Sequence, residues 1–212
     1  MGITTAEFVT WLDTFADRIH DAKDELTALD SAIGDADHGI NMDRGMTAVR
    51  EHLPTLRDGQ AGALFKQVGR TLISTVGGAS GPLYGTFFLR LGTALGENED
   101  VAPGDLARGL RAGLDGIVGL GKANLDDKTM VDAMTPAVEA MEAGAEADLA
   151  AALAAAATAA ASGRDRITPL VARKGRASYL GERSAGHQDP GATSVTIMLE
   201  ALRDAVAGTA PT

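Results

Sequence analysis

The apolar residues of this 212-residue chain recur at helical steps, and that period constrains its fold more than any other feature. Phe8, Leu12, Phe15, Ile19, Ala22, Leu26 and Leu29 step by four and three, which places them on one face of a helix. Thr4 and Glu7 have the spacing of a capping box that would start it. A second stripe, Met42, Met46, Val49 and Leu53, runs into Pro54, where a helix is expected to stop. Further stripes are Leu64, Val68 and Leu72 up to Gly77-Gly78, and Leu83, Phe87, Leu91 and Leu95 up to Gly96. Leu106, Leu110, Leu114 and Ile117 follow Pro103, and another helix spans Met130 to Met141, adjusted at Pro136. Positions 150–161 hold ten alanines, the best helix formers, and read as a packed helix rather than a low-complexity linker. Val195, Met198, Leu202 and Val206 mark the last helix. No segment alternates with period two, so no sheet is expected. About eight helices joined by short Gly- or Pro-marked loops predict an all-α fold. The expected architecture is an antiparallel eight-helix bundle or barrel forming a single domain over 1–212.

Composition removes several classes of function. With 19 Lys and Arg against 29 Asp and Glu the formal charge is −10, and aromatic residues are 4% of the chain. That balance offers nucleic acid neither a basic footprint nor stacking platforms. With no cysteine there is no disulfide framework, thiolate nucleophile or zinc–thiolate site. The first 30 residues are acidic rather than basic and then apolar, so no signal peptide is expected. Neither nucleic acid nor membrane is expected as a partner, and a cytoplasmic location fits best.

Three polar breaks carry the chemistry. The first, from Leu29 to Met42, places Asp30, Asp35 and Asp37 within eight residues. Such carboxylates repel by roughly several tenths of a kcal/mol or more unless a cation or hydrogen bonds compensate. Hard oxygen donors of this kind suit Mg²⁺, whose remaining sites are filled by phosphate and water. An EF-hand counted from Asp35 fails, because Gly39, Ile40 and Met46 stand where Asp or Asn, Gly and Glu are required. On spacing alone, Asp35 and Asp37 serve equally well as turn and N-cap residues for the helix carrying Met42.

The second break, Gly77 to Thr86, is a small-residue loop opening a helix. Its amides and positive helix end would suit phosphate, although it lacks the lysine of a P-loop and any preceding strand. A tight helix–helix corner explains it as well. The third, Gly175 to Ser194, contains Arg176 and Arg183, whose planar donors suit phosphate, and ends in Asp189-Pro190-Gly191 at the start of the last helix. His187 reads as a loop hydrogen-bonding residue rather than a catalyst. Together the breaks fit a Mg²⁺–nucleotide site at one end of the helical barrel. Phosphoryl transfer needs little covalent help from protein, so the lack of an obvious nucleophile is no objection.

The segments Gly34-Asp35-Ala36-Asp37-His38-Gly39-Ile40-Asn41-Met42, Gly77 to Pro82, Gly175 to Gly181 and Gly186 to Ala192 resemble the L subunits of bacterial dihydroxyacetone kinases over nearly the whole chain. The resemblance implies an eight-helix antiparallel barrel holding ADP or ATP through two Mg²⁺ ions. It implies Asp30, Asp35 and Asp37 as metal ligands. It also implies that His38, Gly39, Ile40 and Asn41 line the nucleotide site and that Ala79 and Ser80 meet the phosphates. Gly121 and Met130 would lie near the adenine, and Asp189, Pro190 and Gly191 would close the site. Arg176 is similar to the family arginine that reaches the reaction centre when the partner docks, resembling an arginine finger. Family members often read Gly where Ala36 stands and carry a differently charged stretch at 122–127.

In that family dihydroxyacetone is bound by a separate K subunit, and a phosphohistidine M subunit recharges ADP to ATP on the L subunit. The resemblance therefore implies K and M subunits as partners. An ATP-dependent dihydroxyacetone or other keto-sugar kinase subunit using free ATP is the alternative, and a fatty-acid kinase could use a similar barrel. Contact with a transcription regulator and self-association into a homodimer are left open.

Overall fold

The computed structural model describes residues 2–208; of the expected 1–212 unit, Met1 and residues 209–212 lie outside them. In chain order the elements are β1 (Ile3–Thr4), α1 (Thr5–Asp21), α2 (Lys23–Ile33), α3 (His38–Leu56), α4 (Ala61–Thr75) and α5 (Ser80–Leu95). They continue as β2 (Asp100–Val101), α6 (Pro103–Gly121), α7 (Met130–Gly144), α8 (Leu149–Ile167), a 3-10 segment Arg176–Ser184 and α9 (Pro190–Gly208). Helix α1 packs on α3, each helix from α3 onward packs on the next, and α9 returns to α1, so eight helices close a ring. Helix α2 stands outside it, against α3, α9 and the 3-10 segment.

The helices form where the apolar period lies, with three departures. The stripe from Phe8 to Leu29 is two helices, because Ala22 (φ −88°, ψ 3°) ends α1 and redirects the chain without interrupting the period. Helix α3 runs past Pro54 to Leu56. In a last turn the fixed φ of proline fits, and the one amide it lacks costs little on an exposed face. A two-stranded antiparallel pair, Ile3 opposite Val101 and Thr4 opposite Asp100, is present although none was expected. Two residues per strand are too few to show alternation.

Other local expectations hold. Thr4 and Glu7 make the capping box: the Thr4 amide donates to Glu7 Oε2 at 2.7 Å and the Glu7 amide to Thr4 Oγ1 at 3.3 Å. Helix α7 continues through Pro136, which leaves the Asp132 carbonyl without its helical amide. Gly163 of α8 lies against that carbonyl, so closely that a Cβ there would sit 2.2 Å from it. The barrel interior is filled by Phe8, Trp11, Phe65, Phe87 and Phe88, with Trp11 Nε1 donating to the Met198 carbonyl at 2.8 Å. Because ring neighbours run antiparallel, α3, α5, α7 and α9 all begin at one end, where their first residues line a common cavity.

Candidate functional site

The carboxylates are set by the turn between α2 and α3. Asp30 lies in the last turn of α2, Asp35 in the connection, and Asp37 at the N-cap of α3. Asp30 Oδ2 accepts the amides of Asp37 (2.8 Å) and His38 (3.2 Å), which folds the turn back over the helix it leaves. Ala36 between them has φ +62°, a left-handed conformation that a β-carbon disfavours. Each of the three carboxylates thereby offers an oxygen within 4.8 Å of the other two. Asp30 is buried, Asp37 half-buried and Asp35 exposed. Arg176 Nη2 stands 3.0 Å from Asp35 Oδ2 in an exposed ion pair, a contact weak enough for a hard cation to displace.

Helix starts surround this cluster. Neither N-cap residue, Asp37 of α3 nor Ala79 of α5, caps its helix through its own side chain; Asp30 Oδ2 takes the His38 amide, and the positive ends of both helices face the cavity where Asp37, His38, Ala79 and Ser80 line it. Helices α7 and α9 also begin here but are closed by their own side chains. Thr129 and Asp132 make a capping box, and Asp189 Oδ2 accepts the Ala192 amide at 2.7 Å. The arrangement attracts an anion between α3 and α5 and a hard cation beside it, which together describe a metal-bound polyphosphate.

A family model for the DAK2 domain matches residues 32–204. The chain belongs to the DAK2 domain family. It is 46% identical over 205 residues to the ADP-binding subunit of the PEP-dependent dihydroxyacetone kinase of Escherichia coli, covering 95% of this chain and 97% of that one. It is 40% identical over 205 residues to the ADP-binding subunit of the PTS-dependent enzyme of Lactococcus lactis, covering 97% and 100%. Among solved structures it resembles the dihydroxyacetone kinase of C. freundii in complex with AMP-PNP and Mg²⁺, with TM-score 0.74, 25% identity and 96% of this chain covered. It spans 34% of that longer chain.

Within this DAK2 domain the sequence-derived residues separate into two groups. The carboxylate triad, His38, Ala79, Ser80, Met130, Arg176 and the Asp189-Pro190-Gly191 start of α9 all line the cavity. Gly39, Ile40, Asn41 and Gly121 do not. Gly39 is pressed against the Lys23 carbonyl, Ile40 is exposed, and Asn41 Oδ1 accepts from Arg44 Nη2 at 2.6 Å. Gly121 lies at the end of α6 beside Leu83, which itself lines the cavity. Arg183 and His187 are exposed and outside the lining.

Electrostatics differ across the cavity. Burial pulls the His38 imidazole below its ordinary value against the opposing pull of Asp30 and Asp37, so the ring is neutral near pH 7. Its nitrogens bridge Ser80 Oγ (3.1 Å) and Ser194 Oγ (2.9 Å), and Ser194 Oγ also meets the buried Tyr84 hydroxyl at 2.7 Å. One hydrogen-bonded chain thus ties the starts of α3, α5 and α9 together. Burial pushes the Asp189 carboxyl up to about 7, aided by Asp132 and Asp30 and opposed by the Ala192 amide and Lys128. Sequence reasoning missed Lys128, Tyr84 and Ser194. A lysine in a polar loop is ordinarily exposed, and a tyrosine and a serine on apolar helix faces carry no pattern of their own.

Proposed function

We propose that this chain is the nucleotide-bearing subunit of a dihydroxyacetone kinase, holding Mg·ADP or Mg·ATP for phosphoryl transfer to dihydroxyacetone bound on a separate K subunit. The observation that carries this reading is the Asp30–Asp35–Asp37 cluster beside the starts of α3 and α5, whose N-cap residues make no side-chain cap. Three hard oxygen donors in one cluster fit Mg²⁺, with two ions as the expected number. Bound Mg²⁺ supplies neutralisation of phosphate charge and a template for the transferring group. Around it, the α3 and α5 amides and the Ser80 hydroxyl bind phosphate oxygens, and Met130 and Gly121 flank the base. Asp189, Pro190 and Gly191 close the far wall, while Gly39, Ile40 and Asn41 set the position of the first turn of α3. Arg176 leaves Asp35 to neutralise charge on the transferring group, the catalytic role assigned to it.

The K subunit docks over the cavity mouth, and the exposed apolar side chains Ile40, Ile73, Leu120, Leu125 and Tyr179 support that placement. Each belongs to the cavity end: the first turn of α3, the last turns of α4 and α6, the 122–129 loop and the 3-10 segment. Similarity to PEP- and PTS-dependent subunits favours recharging by a phosphohistidine M subunit over exchange with free ATP. A cytoplasmic setting suits that relay, and among the described residues no helix is long and apolar enough to cross a membrane.

The test is dihydroxyacetone phosphate formation by purified chain and K subunit, driven either by a phosphoenolpyruvate relay or by ATP alone. Sustained turnover only with the relay is expected; sustained turnover with ATP alone replaces the M subunit by free nucleotide. In the same assay Arg176→Ala is expected to lower turnover by roughly 10³ while Mg·ADP still binds, as for removal of an arginine finger. Loss of nucleotide binding instead would make Arg176 a binding residue.

A further inference from the structure

Lys128 is a buried cation for which phosphate binding provides no use. Its backbone is left-handed (φ +64°) and its side chain is 1% exposed. Nζ donates to three main-chain carbonyls, those of Thr168 (2.7 Å), Leu170 (2.9 Å) and Ser184 (2.7 Å). Those three bonds match the three N–H groups of an ammonium, so the charge is spent on backbone rather than aimed at a ligand. Burial lowers its affinity for a proton and the Asp189 carboxylate, lining the same cavity, restores part of it.

The identity of the three acceptors gives the arrangement its meaning. Thr168 and Leu170 lie where the chain leaves α8, and Ser184 closes the 3-10 segment, so a single ammonium gathers both ends of the excursion that carries Arg176. The neighbouring bonds act in the same sense. The Arg173 amide donates to the Asp127 carbonyl at 3.0 Å, and the Gly186 amide to that of Thr168 at 2.9 Å. Ser184 Oγ accepts the Ala172 amide at 2.9 Å and donates to the Gly181 carbonyl at 2.6 Å. Apolar support for the excursion is Leu170 against the main core and a small separate cluster, Ile33, Ala172 and Ala177 with Leu180 against it. The loop is therefore held chiefly by polar bonds at its neck, and Lys128 makes three of them.

We propose that Lys128 is a positioning residue for Arg176, fixing the neck of the 168–184 excursion so that the guanidinium stands beside the carboxylate cluster. An arginine cannot take its place, because a planar fork does not direct three N–H groups at three carbonyls converging on one atom. The proposal rests on the kinase reading for its activity readout, and on the structure alone for its dynamic one.

The experiment pairs Lys128→Met with Arg176→Ala in the full chain. Lys128→Met is expected to speed amide hydrogen exchange across 172–184 by roughly tenfold or more, as a local opening. With the K subunit it should lower kcat by about 30-fold or more at nearly constant Mg·ADP affinity, yet cost less than about twofold when Arg176 is already alanine. Equal losses in both backgrounds, or kcat and nucleotide affinity falling together, would overturn the proposal, as would unchanged exchange. If Arg176→Ala itself leaves turnover intact, the kinase role of Arg176 fails while the exchange measurement still decides the clamp. Should Lys128→Met not fold, Ser184→Ala removes the adjoining clasp, and the same accelerated exchange and non-additivity are expected of it.

Discussion

The two ends of the barrel are built on different terms. At the closed end α1 begins with the Thr4–Glu7 capping box, α8 is capped by Asp148, α4 and α6 start without a side-chain cap, and the β1–β2 pair ties the first residues to the α5–α6 connection. The cavity end has the same mixture, α7 and α9 capped by side chains and the N-cap residues of α3 and α5 not, but here the carboxylate cluster stands beside them. Among the described residues, all four non-glycine positions with positive φ, Ala36, Lys122, Asp126 and Lys128, belong to loops at this end, and the five exposed large apolar side chains lie on its loops and adjoining helix turns. Helix starts are capped alike at the two ends; what the cavity end alone carries, among the described residues, is left-handed non-glycine backbone, a carboxylate cluster and exposed large apolar side chains, left to be completed by ligand and partner. Strain and unsatisfied charge concentrated at one end are the expected mark of a functional site supported by a self-sufficient scaffold.

The strongest way to break that contrast is to remove the charge at the open end. Replacing Asp30, Asp35 or Asp37 by Asn deletes a negative ligand from a cluster that a cation must neutralise, which costs roughly 3–5 kcal/mol, or more than a hundredfold in affinity. Titration calorimetry with Mg·ADP is expected to show this loss for all three, and unchanged affinity throughout would remove the metal assignment. Asp30→Ala should in addition lower the melting temperature, because Asp30 alone of the three accepts the Asp37 and His38 amides and alanine offers them no oxygen.

Asp189 supplies the next effect. Its carboxyl is pushed up to about 7, against about 4 in an unfolded chain. Between those values the folded protein keeps a proton that the unfolded chain releases, so stability of the nucleotide-free protein falls as pH rises from about 4 through 7. Asn retains an oxygen for the Ala192 amide and carries no charge. Asp189→Asn should therefore be more stable than the parent at pH 8 by on the order of 2 kcal/mol, allowing for partial contact with solvent, with the gap closing near pH 4. Denaturant melts at four pH values measure it, and a constant gap would contradict the sign.

The sequence made one end of the barrel easier to read than the other. Helical stripes and the Thr4–Glu7 cap are local patterns with a single physical meaning, and they locate the helices well. The carboxylate cluster was legible as one of two readings, since three hard donors in eight residues suit a cation while Asp35 and Asp37 fit a turn and an N-cap equally well. The break at Ala22 was hidden, since one residue at ψ near 0° turns the chain while the apolar period runs on. The His38–Ser194 and Tyr84–Ser194 contacts join residues 156 and 110 positions apart and follow only from ring closure. Lys128 was hidden for a related reason: its three acceptors are carbonyls, which every residue carries, so no side-chain pattern announces them.

A substitution at the closed end sharpens the comparison from the other side. Thr4→Ala removes the α1 cap, at a cost of about 1 kcal/mol, or roughly 2–4 °C in melting temperature for a chain of this size. Mg·ADP affinity should not change, since the cap lies at the far end of α1 from the cavity. A coupled loss of nucleotide would mean that the two ends are not independent.

The smallest expected effect tests whether the open end stores strain. Ala36 holds φ +62° inside the turn that positions the carboxylates. Left-handed backbone costs a residue with a β-carbon about 1–2 kcal/mol, and glycine escapes that cost. Glycine also loses more conformational freedom on folding, which offsets about 0.4–1 kcal/mol of the gain. Ala36→Gly is therefore expected to stabilise the nucleotide-free protein by roughly 0.5 kcal/mol, about 1–2 °C in a thermal melt. The same flexibility should slightly weaken Mg·ADP binding, because the turn is no longer held by its own backbone preferences. A destabilised variant would place the cost of the turn elsewhere, in the close approach of Asp30, Asp35 and Asp37 themselves.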